Sequence, residues 1–154
     1  MGARPIPPEP RTLRSFFQQR LAQLRTELAS VRLATIASED GLLIATDDAA
    51  EPNPLDRRAA VGSSFLAVAR TAARELQLAD ARCVFAECEA GLLVLRPFVT
   101  QQGSGPKRRL LLVVLDDPRE LGRAVAAARV LAEEVAERLG TPDAERSLSK
   151  PLES

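Results

Sequence analysis

From Leu13 the apolar positions fall at Leu13, Phe16, Phe17, Leu21, Leu24 and Leu28. Steps of three and four draw one stripe on a helix, predicted over about 12–29. The pattern then shortens. Val31 to Ser38 reads as a strand, Glu39-Asp40-Gly41 as a turn that tolerates positive φ, and Leu42 to Thr46 as the returning strand of a hairpin. Asp47 to Asn53 is a polar connection. A second helix is predicted from Asn53-Pro54-Leu55-Asp56 to about Leu76, with Asn53 as its cap and Pro54 at its first position. Ala81 to Cys88, Leu92 to Phe98 and Arg109 to Leu115 follow as three strands. Glu89-Ala90-Gly91 is a tight turn between the first two. Val99 to Arg108, with Gln101-Gln102-Gly103-Ser104-Gly105-Pro106 inside it, reads as a long flexible hairpin loop. The last helix opens at Asp117-Pro118-Arg119-Glu120, a capping box in form. It carries an apolar stripe from Leu121 to Leu139 and stops at Gly140.

Leu110 to Leu115, the run Leu-Leu-Leu-Val-Val-Leu, is the longest uninterrupted apolar stretch. It is short enough for a strand and too short for a helix, and its lack of alternation asks for burial on both faces. With this strand at the centre, the hairpins dictate antiparallel neighbours. The expectation is an α+β fold of the mixed α/β class, in the order α-β-β-α-β-β-β-α. It has a single five-stranded antiparallel sheet of order 2-1-5-4-3, the middle helix on one face and the terminal helices on the other. Residues 1–10 read as a disordered Pro-rich arm, 11–140 as the domain and 141–154 as a C-terminal tail.

The second helix is apolar over about half its circumference, more than the roughly 100° one packing surface requires. One half can cover the sheet. The flank through Val61, Phe65, Val68 and Ala72 is left over. The third strand is an edge in this topology, and it carries Val84 and Phe85 with little charge at its centre. An open apolar edge is a hazard unless paired. Flank and edge together predict a two-fold dimer through Val61, Phe65, Val68, Ala72, Val84 and Phe85. The alternative is that the monomer covers the flank, for instance with its Pro-rich arm.

Composition narrows the function classes. The 154 residues hold 21 Lys plus Arg against 21 Asp plus Glu, a net charge of zero, so no broad field gathers nucleic acid or anionic lipid. Aromatics are 3%, all Phe, which leaves little for base-stacking platforms. There is no His, the commonest general base and metal ligand. Cys83 and Cys88 on one strand would stand roughly 16 Å apart, beyond the reach of a disulfide. A reducing cytoplasm is the simplest reading, with both thiols as small buried hydrophobes. No apolar run approaches the length of a membrane span, and the N-terminal stretch lacks a signal-peptide apolar region.

Candidate chemistry is sparse. Gly103 to Arg109 could hold phosphate on amides and cations but lacks nucleotide-loop spacing, so turn chemistry explains it better. Asp47, Asp48 and Glu51 offer oxygen ligands whose spacing fits no defined cation loop. Asp116 and Asp117 sit at a strand end, and helix capping already accounts for Asp117. No catalytic residue, cofactor site or metal site is expected.

The element order, Glu39-Asp40-Gly41 between short apolar strands, the long Ala-rich second helix, and Glu87-Cys88-Glu89-Ala90-Gly91-Leu92-Leu93-Val94-Leu95 as an acidic strand–turn–strand resemble the roadblock/dynein light-chain family. The resemblance covers about Leu13 to Leu139. It implies homodimerisation through the second helix and third strand. It also implies a small Ras-like GTPase as partner, as for bacterial members that activate such a GTPase or sense its nucleotide state. Eukaryotic relatives imply an alternative: a scaffold or light-chain-like subunit of a larger assembly, without nucleotide dependence. Arg57 and Arg58, at the start of the second helix, become candidates for GTPase contact, an arginine finger included. Two solvated arginines are the alternative, and the one their position favours. The expected protein is a cytoplasmic interaction module with no active site of its own, no nucleic-acid partner and no membrane insertion.

Overall fold

The run Leu110 to Leu115 forms the middle of the central strand, and its side chains part between two cores. Leu111, Val113 and Leu115 join one cluster, while Leu110 and Leu112 join another. Alternation along a strand sends successive side chains to opposite faces, so a strand apolar at every position is covered on both. The computed structural model of the chain describes residues 12–47, 56–102 and 104–139. Its elements are α1 (Leu13–Glu27), β1 (Val31–Ser38), β2 (Leu43–Thr46), α2 (Arg57–Glu75), β3 (Val84–Cys88), β4 (Gly91–Gln102), β5 (Gly105–Leu115) and α3 (Leu121–Leu139), the last entered through a 3-10 turn at Pro118–Glu120.

The sheet is five-stranded and antiparallel, ordered β2-β1-β5-β4-β3, as the hairpin argument requires. β5 pairs Leu111 with Ile36 of β1, and Leu112 with Leu95 of β4. α1 and α3 cover one face. Phe17, Leu21 and Leu24 meet Leu131 and Val135 there, over Ile36, Val94 and Val113. Arg20 is buried within this layer and donates from Nε to Glu134 Oε2 at 2.9 Å, so a charge pair ties α1 to α3. α2 crosses the other face through Leu66, over Leu95, Leu110 and Leu112. Gly62 permits the close approach, because a Cβ there would stand 3.2 Å from Leu112 Cδ1 and 3.4 Å from Leu110 Cδ2.

Several boundaries differ from the sequence expectation. The proposed flexible loop from Val99 to Arg108 is mostly ladder: Val99 pairs with Arg108, Thr100 with Lys107, Gln101 with Pro106 and Gln102 with Gly105. Gly105, in the last of these pairs, takes φ +111°. Pro106 is tolerated because its segment lies beyond the residues of β5 that pair with β1, where strand edges admit proline. The third strand starts at Val84, not Ala81. Gln77 and Ala79 turn the chain with φ of 59° and 63°, and Asp80 then accepts from the Ala81 amide. The cap of α2 is Asp56, whose carboxylate accepts from Arg58 N at 2.8 Å; Asn53 and Pro54 lie outside the described residues. The 117–120 box is realised by half. Asp117 accepts from Arg119 N at 2.9 Å, but the Glu120 carboxylate turns to the Ser30 hydroxyl. The arm at 1–10 and the tail at 141–154 also lie outside the described residues.

Candidate functional site

α2 is a helix with three kinds of side. Ala59, Gly62, Leu66 and Ala73 face the sheet and are buried. On one flank Val61 and Val68 are 56% and 67% exposed, and Ala72 is exposed with them. Phe65 is half-buried on the same flank and packs with Val84, Leu33 and Leu93 against the core under the helix. A continuous apolar surface therefore runs from the helix flank on to the uncovered part of the sheet. β3 ends that sheet with one side unpaired.

The six residues singled out from sequence do not all share this surface. Val61, Phe65, Val68, Ala72 and Val84 lie on the α2 side. Phe85 is 52% exposed and pairs with Val94, a residue of the α1/α3 core, so it points to the opposite face. Strand alternation separates Val84 from Phe85. Leu76 and Leu78, each 68% exposed where α2 gives way to β3, were not anticipated. Their exposure depends on the left-handed turn at Gln77 and Ala79, which no Gly or Asn announces.

The opposite flank of α2 is polar. Arg70 Nη1 and Nη2 donate to Glu39 Oε2 and Oε1, each at 2.9 Å, and its Nε donates to Asp80 Oδ1 at 3.0 Å. The Glu39 hydrogen bonds hold Arg70 above the ordinary arginine range, against a weaker pull from burial. Arg108 also approaches Glu39, at 3.8 Å. Two cavities flank this bridge. One of about 540 Å³ is lined by Ser63, Leu66, Ala67 and Arg74; one of about 330 Å³ is lined by Arg82, Arg96, Pro97 and Val99.

The remaining candidates take structural places. Arg58 is engaged with its own cap, Nε and Nη2 reaching Asp56 at 2.9 and 2.6 Å. That hydrogen bonding holds the Asp56 carboxyl below the usual carboxylate range. Arg57 is exposed beside it. Asp47 accepts from Arg25 Nη1 at 2.6 Å and from the Ala34 amide at 3.2 Å, which uses it as a tie between α1 and β1. Asp48 and Glu51 lie outside the described residues. Asp116 accepts from Arg32 Nε at 2.7 Å. Cys83 is half-buried and burial pushes its thiol up; Cys88 is exposed, contrary to the expectation that both cysteines are buried. Cys88 closes β3 at the hairpin turn, opposite Gly91, where no layer covers it. Lys107 and Arg108, read from sequence as part of a flexible hairpin loop, are strand residues with exposed side chains. Among the described residues no cluster of three or more His, Cys, Asp or Glu is placed to hold a metal, and no helix is long and apolar enough to cross a membrane.

A family model described as the Roadblock/LC7 domain matches residues 17–104. Comparison with curated proteins gives no match. Among solved structures, a Roadblock/LC7 domain from Streptomyces avermitilis is similar at 25% identity, covering 80% of this chain and 98% of that one, with a TM-score of 0.61. The gliding protein MglB from Thermus thermophilus is similar at 21% identity, covering 77% and 84%, with a TM-score of 0.61. An MglB structure with a tetrameric arrangement is similar at 22% identity, covering 88% and 92%, with a TM-score of 0.65. The two MglB likenesses establish the shared fold.

Proposed function

The chain belongs to the Roadblock/LC7 domain family, and from that premise we propose that it is a homodimeric interaction protein that binds a small Ras-like GTPase and regulates it or reads its nucleotide state. The family is in general one of non-enzymatic interaction domains, and the absence of histidine from the sequence agrees with that. The observation that carries the reading is the apolar flank of α2, with Val61 and Val68 more than half exposed beside the unpaired edge of β3. An exposed apolar surface continuous with an open strand edge is stabilised by a second copy that pairs the edges and buries both flanks. Val61, Phe65, Val68, Ala72 and Val84 form the dimer surface in this reading. Phe85, on the other face of the edge strand, packs at its margin.

The mechanism works by contact. A dimer offers a composite surface that fits one arrangement of the GTPase switch loops better than the other, and differential affinity shifts the equilibrium between them. Arg58 is held by Asp56, which leaves Arg57 as the arginine free to approach a GTPase from the start of α2. The work belongs to the cytoplasm, where Ras-like GTPases operate.

The test is capture from lysate of the source cells by the full chain, in parallel with GDP and a non-hydrolysable GTP analogue, read by mass spectrometry. Recovery of a Ras-like GTPase preferentially in one nucleotide state supports the reading. Recovery of subunits of a large assembly without any GTPase overturns it in favour of a scaffold.

A further inference from the structure

The polar flank of α2 gathers charge that the rest of the chain does not explain. The two cavities beside the Arg70–Glu39–Asp80 bridge share those three residues and Arg108, so they form one groove interrupted at its middle. Four arginines present their side chains to it, Arg70, Arg74, Arg82 and Arg108, against two acids, Glu39 and Asp80. The difference, four minus two, is a formal excess of two positive charges in a protein whose net charge is zero. Glu39 and Asp80 are committed to Arg70, with Glu39 also near Arg108. Arg74 and Arg82 have no carboxylate partner among the described residues. Arg96 pairs with Leu111 of the α1/α3 core, so its side chain leaves for the other face of the sheet. Between the cations the lining is apolar: Leu66 and Ala67 on α2, and Pro97 and Val99 on β4.

We propose that this groove binds an acidic segment of a partner polypeptide, its carboxylates on Arg74 and Arg82 and its intervening apolar side chains against Leu66, Pro97 and Val99. Arg70 holds the groove's shape, because all three of its guanidinium nitrogens already donate to Glu39 and Asp80. The unpartnered arginines are spread along both cavities rather than converging, which suits several carboxylates on a chain better than one phosphate. Charge-assisted pairing with Arg is strong and geometrically specific where the groove lowers solvent screening. The surface lies on the flank of α2 opposite Val61 and Val68. The proposal therefore rests on neither the dimer nor the GTPase reading.

The probe is a fluorescein-labelled eight-residue peptide of alternating Glu and Val, titrated with the full chain and followed by anisotropy. Saturable binding is expected, weakening by about tenfold between 50 and 300 mM NaCl as salt screens the charges. Arg74→Glu with Arg82→Glu is expected to weaken it by about tenfold or more, roughly 1.4 kcal/mol per tenfold. The paired Lys substitutions keep the charge but not the planar fork, and are expected to lose less binding than the Glu pair. Arg129→Glu, an exposed change on α3 across the sheet, controls for net charge and is expected to leave binding intact. Equal binding of the corresponding Lys-Val peptide, or an equal loss with Arg129→Glu, overturns the proposal. So does displacement at matched charge concentration by inorganic phosphate, poly-uridylate or phosphatidylglycerol vesicles, which would reveal a generic anion surface.

Discussion

The guanidinium of Arg70 closes on the carboxylate of Glu39 through two parallel hydrogen bonds of 2.9 Å, joining the middle of α2 to the turn between β1 and β2. Both side chains are largely out of solvent, at 23% and 15% exposure. Removing one partner leaves the other charged and poorly solvated, which costs more than the pair itself contributes. Arg70→Met is therefore expected to destabilise the fold by about 1–3 kcal/mol in urea unfolding. Adding Glu39→Gln should recover part of that loss, because the orphaned charge is then gone. A single substitution with no effect would mean that the bridge carries no stability.

Gly91 begins β4 with φ +152°, and a Cβ there would stand 2.4 Å from the carbonyl oxygen of Leu115. The clash is with backbone of the central strand, which has nowhere to move. Gly91→Ala is expected to lower stability by more than about 2 kcal/mol. Gly122, in the first turn of α3, has nothing within 4 Å of its Cβ position. Gly122→Ala is expected to raise stability by up to about 1 kcal/mol through helix propensity. Thermal unfolding of both variants measures the contrast, and equal effects would contradict it.

Asp56 caps α2 and pairs with Arg58, and that pairing lowers its pKa in the folded state. A carboxyl with a depressed folded pKa stabilises the protein above its unfolded pKa, and that stability disappears as pH falls through the folded value. Asp56→Asn keeps a capping oxygen and removes the charge. The stability difference between wild type and Asp56→Asn is expected in full at pH 7. It should shrink progressively below the ordinary value of 3.8. Urea titrations at pH 7, 4 and 3 follow it. A difference that grows on acidification would have the wrong sign.

Much of this architecture was legible because the apolar pattern is strong where the core is. Val31–Ser38 forms the strand its composition indicates, and the continuous run at Leu110 identifies the strand buried on both faces. What failed was local chemistry overruled by pairing. Gly103, Gly105 and Pro106 look like a loop, yet ladder bonds to β4 extend the strand to Gly105. Phe85 looked like a partner for Val84, although alternation along a strand divides them. The groove was invisible for another reason. Arg70 meets Glu39 across 31 positions of sequence, and Arg74 and Arg82 reach the same groove from separate parts of the chain. Buried Arg20 was equally hidden, since its carboxylate partner, Glu134, lies at the far end of the chain.

The dimer surface yields a prediction that leaves the monomer intact. Val61 and Val68 are exposed, so Val61→Asp with Val68→Asp removes no core contact. Phe65 packs on the core and is a poorer choice. Light scattering coupled to size exclusion is expected to give twice the chain mass, 33.2 kDa from 16.6 kDa per chain, for the wild type. The double variant is expected at a single chain mass with an unchanged circular dichroism spectrum. A variant that keeps the doubled mass would place the interface elsewhere.

The central claim is nucleotide-dependent recognition of a GTPase, and the direct measurement is affinity of the purified chain for the Ras-like GTPase recovered with it. Biolayer interferometry would compare that GTPase loaded with GDP and with a non-hydrolysable GTP analogue. The account predicts at least about a tenfold preference for one state, a differential of roughly 1.4 kcal/mol. Equal affinity for both states would contradict it and make the chain a scaffold that ignores the nucleotide.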